Sequence, residues 1–211
     1  MALTPALQKF STTSPVIQSF NYTDIASGTG MILYLGANTR QESTVTTILT
    51  RDTIYSNDIG ITSPGITAAW HKTLDLDFDL TKFKLSQQIK GTAIITMSVK
   101  AYKNSNPMEW YMKARIRKWD GTTETEIAVA QTETNSANSN TTYHILTVKI
   151  PITTLQNFTV GETLRVTIEG WGNVTSGGSG NLTLYCDPIN RTAGTAATTQ
   201  LKTHIPYELQ I

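Results

Sequence analysis

The chain of 211 residues carries 17 Lys and Arg against 16 Asp and Glu, a formal net charge of +1, so it has no field that would favour nucleic acid or an anionic membrane as its main partner. Charged residues make up only 16%, and Thr, Ser, Asn and Gln supply the polar surface instead, a composition suited to extended β-structure. Cys186 stands alone, which excludes an internal disulfide and any multi-cysteine zinc site, and no apolar run of about 18 residues is present to span a membrane.

Residues 1–20, with STTSP in the middle, have no lasting periodicity and read as an extended N-terminal arm. The start MALTPALQKF lacks the basic n-region and apolar core of a secretory signal. Strands are expected at Met31–Leu35, Val45–Tyr55, Trp70–Leu80, Gly91–Tyr102, Trp110–Trp119, Thr125–Thr132, Tyr143–Ile150, Glu162–Trp171, Asn181–Cys186 and Gln200–Ile211, where β-type runs are broken by Gly, Asn, Ser and Pro. So many short strands mean an all-β sandwich, expected to occupy residues 21–211 as one domain. The strongest hairpin signal is RKWDGTTETE, where Asp120-Gly121 supplies the positive φ angles of a tight reversal. Two segments look helical, LTKFKLSQQI (80–89) and PITTLQNF (151–158), and neither is long enough for a core helix. The polar loops 134–142 and 175–180 have almost nothing to bury and are expected at the surface.

The stretch TLDLDFDL, Thr73 to Leu80, places Asp75, Asp77 and Asp79 at alternate positions. An EF-hand loop counted from Asp75 would need glycine and glutamate where Leu80 and Ser86 stand. On a strand, residues i and i+2 lie about 6.8 Å apart, too far for two neighbouring carboxylates to grip one calcium without further ligands. The alternation with Leu74, Leu76, Phe78 and Leu80 therefore reads as a strand with one buried and one wet face. The stretch YMKARIRKW mirrors it in charge, with Lys113, Arg115 and Arg117 opposed to Met112, Ala114 and Ile116. The aspartates are expected to face these bases, on adjacent strands of one sheet or across a subunit contact.

Candidates for chemistry are sparse. His71, His144 and His204 show no metal-ligand spacing, no G-x-S-x-G or catalytic-cysteine signature occurs, and Cys186 in LTLYCD reads as a buried small hydrophobe. No catalytic, cofactor-binding or metal residue is therefore assigned. Asp75, Asp77, Asp79, Glu124 and Glu126 are available as paired carboxylates of the glycosidase kind, yet nothing in the sequence marks any of them as buried. Trp70, Trp110, Trp119 and Trp171 are the candidates for a sugar-stacking platform, and a binder must present at least one of these rings on an accessible surface.

The segments FNYTDIASGTG, the strand pair around LDLDFDL and KGTAIITMSV, KARIRKWDGTTETEIA, GETLRVTIEGWGN, YCDPINR and LKTHIPYEL together resemble small jelly-roll structural proteins of tailed bacteriophages and related viruses, of the minor capsid, decoration or head-fibre type. The resemblance runs from about Phe20 to the end of the chain. It implies an antiparallel jelly-roll sandwich that is a non-enzymatic virion component, without cofactor, made in the host cytoplasm and acting by binding copies of itself and the shell beneath. A trimer or other closed ring is expected, with the arm 1–20 packed on a neighbouring chain. The alternative is a carbohydrate-binding sandwich module or receptor-binding head.

Overall fold

The computed structural model describes residues 30–40, 44–53, 60–104, 106–137, 140–174, 178–187, 191–193 and 197–208; the expected arm lies outside them. The described residues form strands and no helix: β1 (Met31–Arg40), β2 (Thr44–Thr50), β3 (Gly60–Thr62), β4 (His71–Asp79), β5 (Gln87–Lys103), β6 (Met108–Trp119), β7 (Glu124–Gln131), β8 (Asn135–Ala137), β9 (Thr141–Phe158), β10 (Thr163–Val174), β11 (Gly180–Tyr185), β12 (Thr192–Ala193), β13 (Ala197–Thr198), β14 (Lys202–Ile205) and β15 (Tyr207–Glu208). The first sheet runs β2-β1-β14-β5-β11-β3, with β9 and β15 also on β5. The second runs β4-β10-β6-β7, with β8 on β6. The two antiparallel sheets make a sandwich.

Alternation drives this arrangement. Along β5, Ala93, Ile95, Met97, Val99 and Ala101 are fully buried, and they meet Met112, Ala114 and Ile116 of β6 and Val166 and Ile168 of β10 in one core. The intervening residues lie on the outer faces of the sheets, as a period-two pattern requires, although Ser98, Thr167 and Glu169 among them are covered by neighbouring side chains or segments. Trp110 and Phe78 are the largest side chains sealed in that core. Burying a residue of this class contributes roughly 1.5–3 kcal/mol.

Both segments expected to turn helical are extended or irregular. PITTLQNF is the end of β9, where Ile152 and Phe158 point inward and the backbone pairs with Gln87 to Thr92 of β5. Pro151 is tolerated there because β9 pairs with β5 alone in this sheet and so lies at its edge. In LTKFKLSQQI, the amide of Phe83 donates to Glu162 O (2.9 Å) and its carbonyl accepts from Gly161 N (2.9 Å). Those bonds commit backbone groups that a helical turn would need, and β5 begins at Gln87.

The hairpin at Asp120-Gly121 joins β6 to β7 as expected, with a division of labour the dipeptide does not reveal. Only Gly121 takes a positive φ, 103°. Asp120 instead accepts the amides of Thr122 (2.7 Å) and Thr123 (2.6 Å) on one carboxylate oxygen, and these bonds hold its carboxyl below the usual range.

Candidate functional site: the outer face of the second sheet

The wet face of β4, β10 and β6 carries most of the residues singled out from the sequence, but in a different arrangement. β4 and β6 are not neighbours, because β10 lies between them. Asp79 is in register with Arg165 and that with Arg117; Asp77 with Thr167 and Arg115; Asp75 with Glu169 and Lys113. The expected direct facing of Asp75, Asp77 and Asp79 by Lys113, Arg115 and Arg117 on adjacent strands is thus corrected. The polarity of the faces does hold, since Leu74, Phe78 and Leu80 are buried, as are Met112, Ala114 and Ile116, and Leu76 packs against the core.

Arg165 is the hub of the charged half. Its Nε and Nη2 donate to the two carboxylate oxygens of Asp79 (2.6 and 2.7 Å), and its Nη1 reaches Glu124 (3.0 Å) and Asp77 (3.4 Å). The guanidinium lies 4.7 Å over the ring of Trp119. Hydrogen bonds to Asp79 outweigh partial burial and push its pKa further above the ordinary arginine range. Arg117 pairs with Glu124 (2.9 Å) and, more loosely, with Asp77 (3.9 Å). Thr167 donates to Asp77 at 2.6 Å. Each acid considered as half of a glycosidase pair is thereby committed to a base: Asp75 to Lys72, Asp77 and Asp79 to Arg165, Glu124 to Arg117 and Arg165, Glu126 to Arg115.

Glu169 sits where the charged half meets an aromatic half. Its side chain is 3% exposed, accepts Arg115 Nε (2.8 Å) on one oxygen, and accepts Trp171 Nε1 (2.8 Å) on the other. Burial works to raise its pKa; the bonds from Trp171 and Arg115 overcome this and hold it below the usual carboxylate range.

Beyond Glu169 the face turns aromatic. Tyr111 and Trp171, paired in register, have ring centroids 6.0 Å apart and planes within 7° of parallel. Trp70, immediately before β4, brings its ring to 5.2 Å from Tyr111 at a tilt of 37° and is 42% exposed. Lys113 places its ammonium 4.9 Å from the Trp171 ring centre and 5.9 Å from that of Tyr111. A bulge explains how these groups share one face. The β10–β4 register shifts between Gly170 and Trp171, so Trp171 opposes Lys72 rather than Thr73, and Lys72 and Asp75 come to the same side as an ion pair. Gly170 and Gly172 point inward, where an added Cβ would lie 3.2 Å from Leu182 and Leu74 and 2.7 Å from Ile66.

The remaining candidates are scattered. Trp110 is a core anchor, edge-on to His144 at 5.0 Å. Burial lowers the His144 pKa. His71 and His204 stand on β4 and β14, Cys186 is buried after β11, and among the described residues no group of His, Cys, Asp and Glu is placed to hold a metal ion. The buried hydroxyls of Ser63 and Ser98 donate to the carbonyls of Pro64 and Thr198. A hollow of about 500 Å³ between β2 and residues 80–87 is lined by Leu49, Leu80 and Phe83 under exposed Arg51, Asp52 and Lys84, and lacks the aligned rings of the second sheet. Sequence reasoning passed over Tyr111, Arg165, Thr167 and Glu169, although the alternation in GETLRVTIEGW that buries Leu164, Val166 and Ile168 marks the β10 residues among them as outward.

No family model matches the sequence, and no curated protein matches it. Solved structures do share its fold. An α-amino acid ester hydrolase superposes with a TM-score of 0.53 at 10% identity, over 85% of this chain and 36% of that one. A CocE/NonD family hydrolase from Staphylococcus aureus gives 0.50 at 13% identity, over 84% and 36%. An infectious bursal disease virus chain reaches only 0.31 at 12% identity, over 81% and 40%. What is shared is the fold. The chain spans about a third of the length of the hydrolases it matches. The expectation of a non-enzymatic virion structural protein is therefore corrected, and with it the exclusion of an enzyme: two structures that superpose at 0.50 or better are hydrolases, and none of the likenesses reported is to a bacteriophage protein.

Proposed function

We propose that this chain works as the β-sandwich module of a hydrolase-type protein acting on ester or amide substrates, with the nucleophile supplied from elsewhere in that protein. The observation that carries the reading is the coverage: the likeness takes in 85% of this chain and only 36% of the ester hydrolase, the proportion of a module to a whole. The bonding of the buried serines agrees with it, since Ser63 and Ser98 are tied to backbone carbonyls rather than to a histidine base. The module contributes a rigid sheet on which ligand-contacting side chains are held in place, as functional groups on strands are positioned more tightly than those on loops.

The test is turnover of p-nitrophenyl esters and amino-acid p-nitroanilides by material captured through this chain from its native source, beside the recombinant chain alone. Hydrolysis is expected in the captured material and not in the recombinant chain. Turnover by the recombinant chain alone would make it a complete enzyme and overturn the reading; a captured sample devoid of hydrolysis would overturn it equally.

A further inference from the structure

We infer that the row Trp70–Tyr111–Trp171 is a binding site for a neutral glycan, with a pyranose ring stacked on Trp70 and Tyr111 and its hydroxyls met by the polar groups beside them. The inference rests on the sheet face alone and stands or falls separately from the hydrolase reading.

Three features of the row point to a sugar rather than to an apolar partner. First, the rings are clustered at the surface: Trp70 is 42% exposed, its centroid lies 5.2 Å from that of Tyr111 at a tilt of 37°, and the half-buried Tyr111 and Trp171 are nearly parallel. A pyranose offers an apolar C–H face to such rings and a rim of hydroxyls to their surroundings, the same combination of apolar body and polar edge that aromatic sites recognise. Second, the rings are interleaved with hydrogen-bonding side chains. Lys113 stands over Trp171 and Tyr111, the Lys72–Asp75 pair flanks them, and Asn173 follows on β10 in register with Glu109 of β6. A surface made to seat an apolar helix or a second sheet would not carry five polar side chains around three rings, because each would have to be desolvated. Third, the charges balance: two ammonium groups, Lys72 and Lys113, stand against two carboxylates, Asp75 and Glu109, while Glu169 is neutralised by Arg115. That leaves no net field to select an anionic or cationic ligand.

The row is also held in place before a ligand arrives. The buried Glu169 accepts the indole N–H of Trp171 at 2.8 Å and is fixed in turn by Arg115, so Trp171 cannot swing without breaking a charge-assisted bond. Rings fixed in advance lose less freedom on binding. Tyr111 keeps its proton, its pKa raised by burial and by the Glu169 charge, so its hydroxyl both donates and accepts, as sugar hydroxyls do.

The test titrates the full chain with cellohexaose, xylohexaose, mannohexaose and laminarihexaose, with sodium polygalacturonate as an anionic arm, by tryptophan fluorescence and calorimetry. At least one neutral hexasaccharide is expected to bind and perturb the indole emission. Trp70→Ala and Tyr111→Ala should each weaken that binding about tenfold or more, which corresponds to about 1.4 kcal/mol, the upper range of one aromatic contact. Tyr102→Ala, on the other sheet, should leave it unchanged. Because Trp70 is partly exposed and outside the core cluster, its truncation keeps the fold, which circular dichroism checks. The inference is overturned if no neutral hexasaccharide binds, if Trp70→Ala and Tyr111→Ala bind like the parent, or if only polygalacturonate binds and salt abolishes it.

Discussion

Replacing Arg115 with methionine removes the guanidinium that meets Glu169 while leaving a flexible apolar stem over the sheet. The Glu169 carboxylate keeps its bond from Trp171 Nε1 and loses the one from Arg115 Nε, each 2.8 Å long. Deleting one member of a buried ion pair costs about 3–5 kcal/mol, because the survivor stays desolvated without its partner. A ceiling applies here. Once the lone anion costs more than a proton does, Glu169 protonates, and at about pH 7 protonating a carboxyl of ordinary pKa near 4.3 costs about 3.7 kcal/mol. Losing the exposed contact with Glu126 adds less than about 1 kcal/mol. Since Arg115 itself is partly exposed, the expected loss is about 3 kcal/mol at neutrality. In the parent, the Glu169 pKa is held below its unfolded value, so its contribution is present above that value and fades as pH falls through the lower, folded one. In the variant, the carboxyl is raised above its unfolded value, so a penalty grows as pH climbs past about 4.3. The difference between the two proteins should therefore be largest near neutrality and should shrink toward about pH 4. Urea unfolding followed by tryptophan fluorescence at the two pH values measures it. A neutral-pH loss below about 1 kcal/mol, or one that does not change with pH, would refute the placement of Glu169 as a buried, arginine-held anion.

Phe78→Ala, at a fully buried position, should cost about 3–5 kcal/mol in chemical denaturation, whereas truncation of the exposed Ile145 should stay within about 0.5 kcal/mol. Gly180→Ala should cost about 2–3 kcal/mol, since its Cβ would lie 2.7 Å from the Tyr102 carbonyl and 2.5 Å from Met108 Sδ. Gly121→Ala meets nothing within 4 Å and should lose about 1–2 kcal/mol through its φ of 103° alone, which thermal melting resolves. Asp77→Arg, 40% exposed, should destabilise by about 1–2 kcal/mol through lost contacts with Arg165, Arg117 and Thr167; Arg117→Asp should recover part of that loss and Arg115→Asp none, because Arg115 serves Glu169 and Glu126.

The long strands were legible because period-two alternation is written locally: LDLDFDL and MKARIRK each announce a wet and a dry face, and β4 and β6 present them so. The three-residue β3 and β8 are too short to show a period, and β8 with its buried Ala137 lies inside the segment 134–142 expected to be a surface loop. Which strands would be neighbours was not written there. Matching charges pointed to β4 beside β6, yet β10 comes between, and its own alternating Arg165, Thr167 and Glu169 complete the network from the middle. Charge complementarity of a few tenths of a kcal/mol per pair constrains register weakly and cannot choose among topologies whose buried apolar area differs by far more. The helical misreadings have the same origin. PITTLQNF and LTKFKLSQQI contain helix-compatible residues, but Ile152, Phe158 and Phe83 are claimed by the sandwich core, and tertiary burial overrides propensity.

The aromatic row was invisible for a stronger reason. Trp70, Tyr111 and Trp171 are far apart in sequence and converge only because three strands lie side by side and one bulge turns Lys72 and Trp171 to the same side. The two halves of the face then differ in what their charges can still do. In the charged half every carboxylate on β4, β7 and β10 has a basic partner, and Arg165 covers Trp119, so the polar groups there are consumed in holding four strands in register. Near the rings, Lys113 and Glu109 have no opposite charge within ion-pair distance among the described residues, although both lie on the same strand as the saturated Arg115 and Arg117. A ligand arriving at this sheet thus finds the unpaired charges of Lys113 and Glu109 beside the rings, and Glu169 divides the two halves, anchored to Arg115 on one side and to Trp171 on the other.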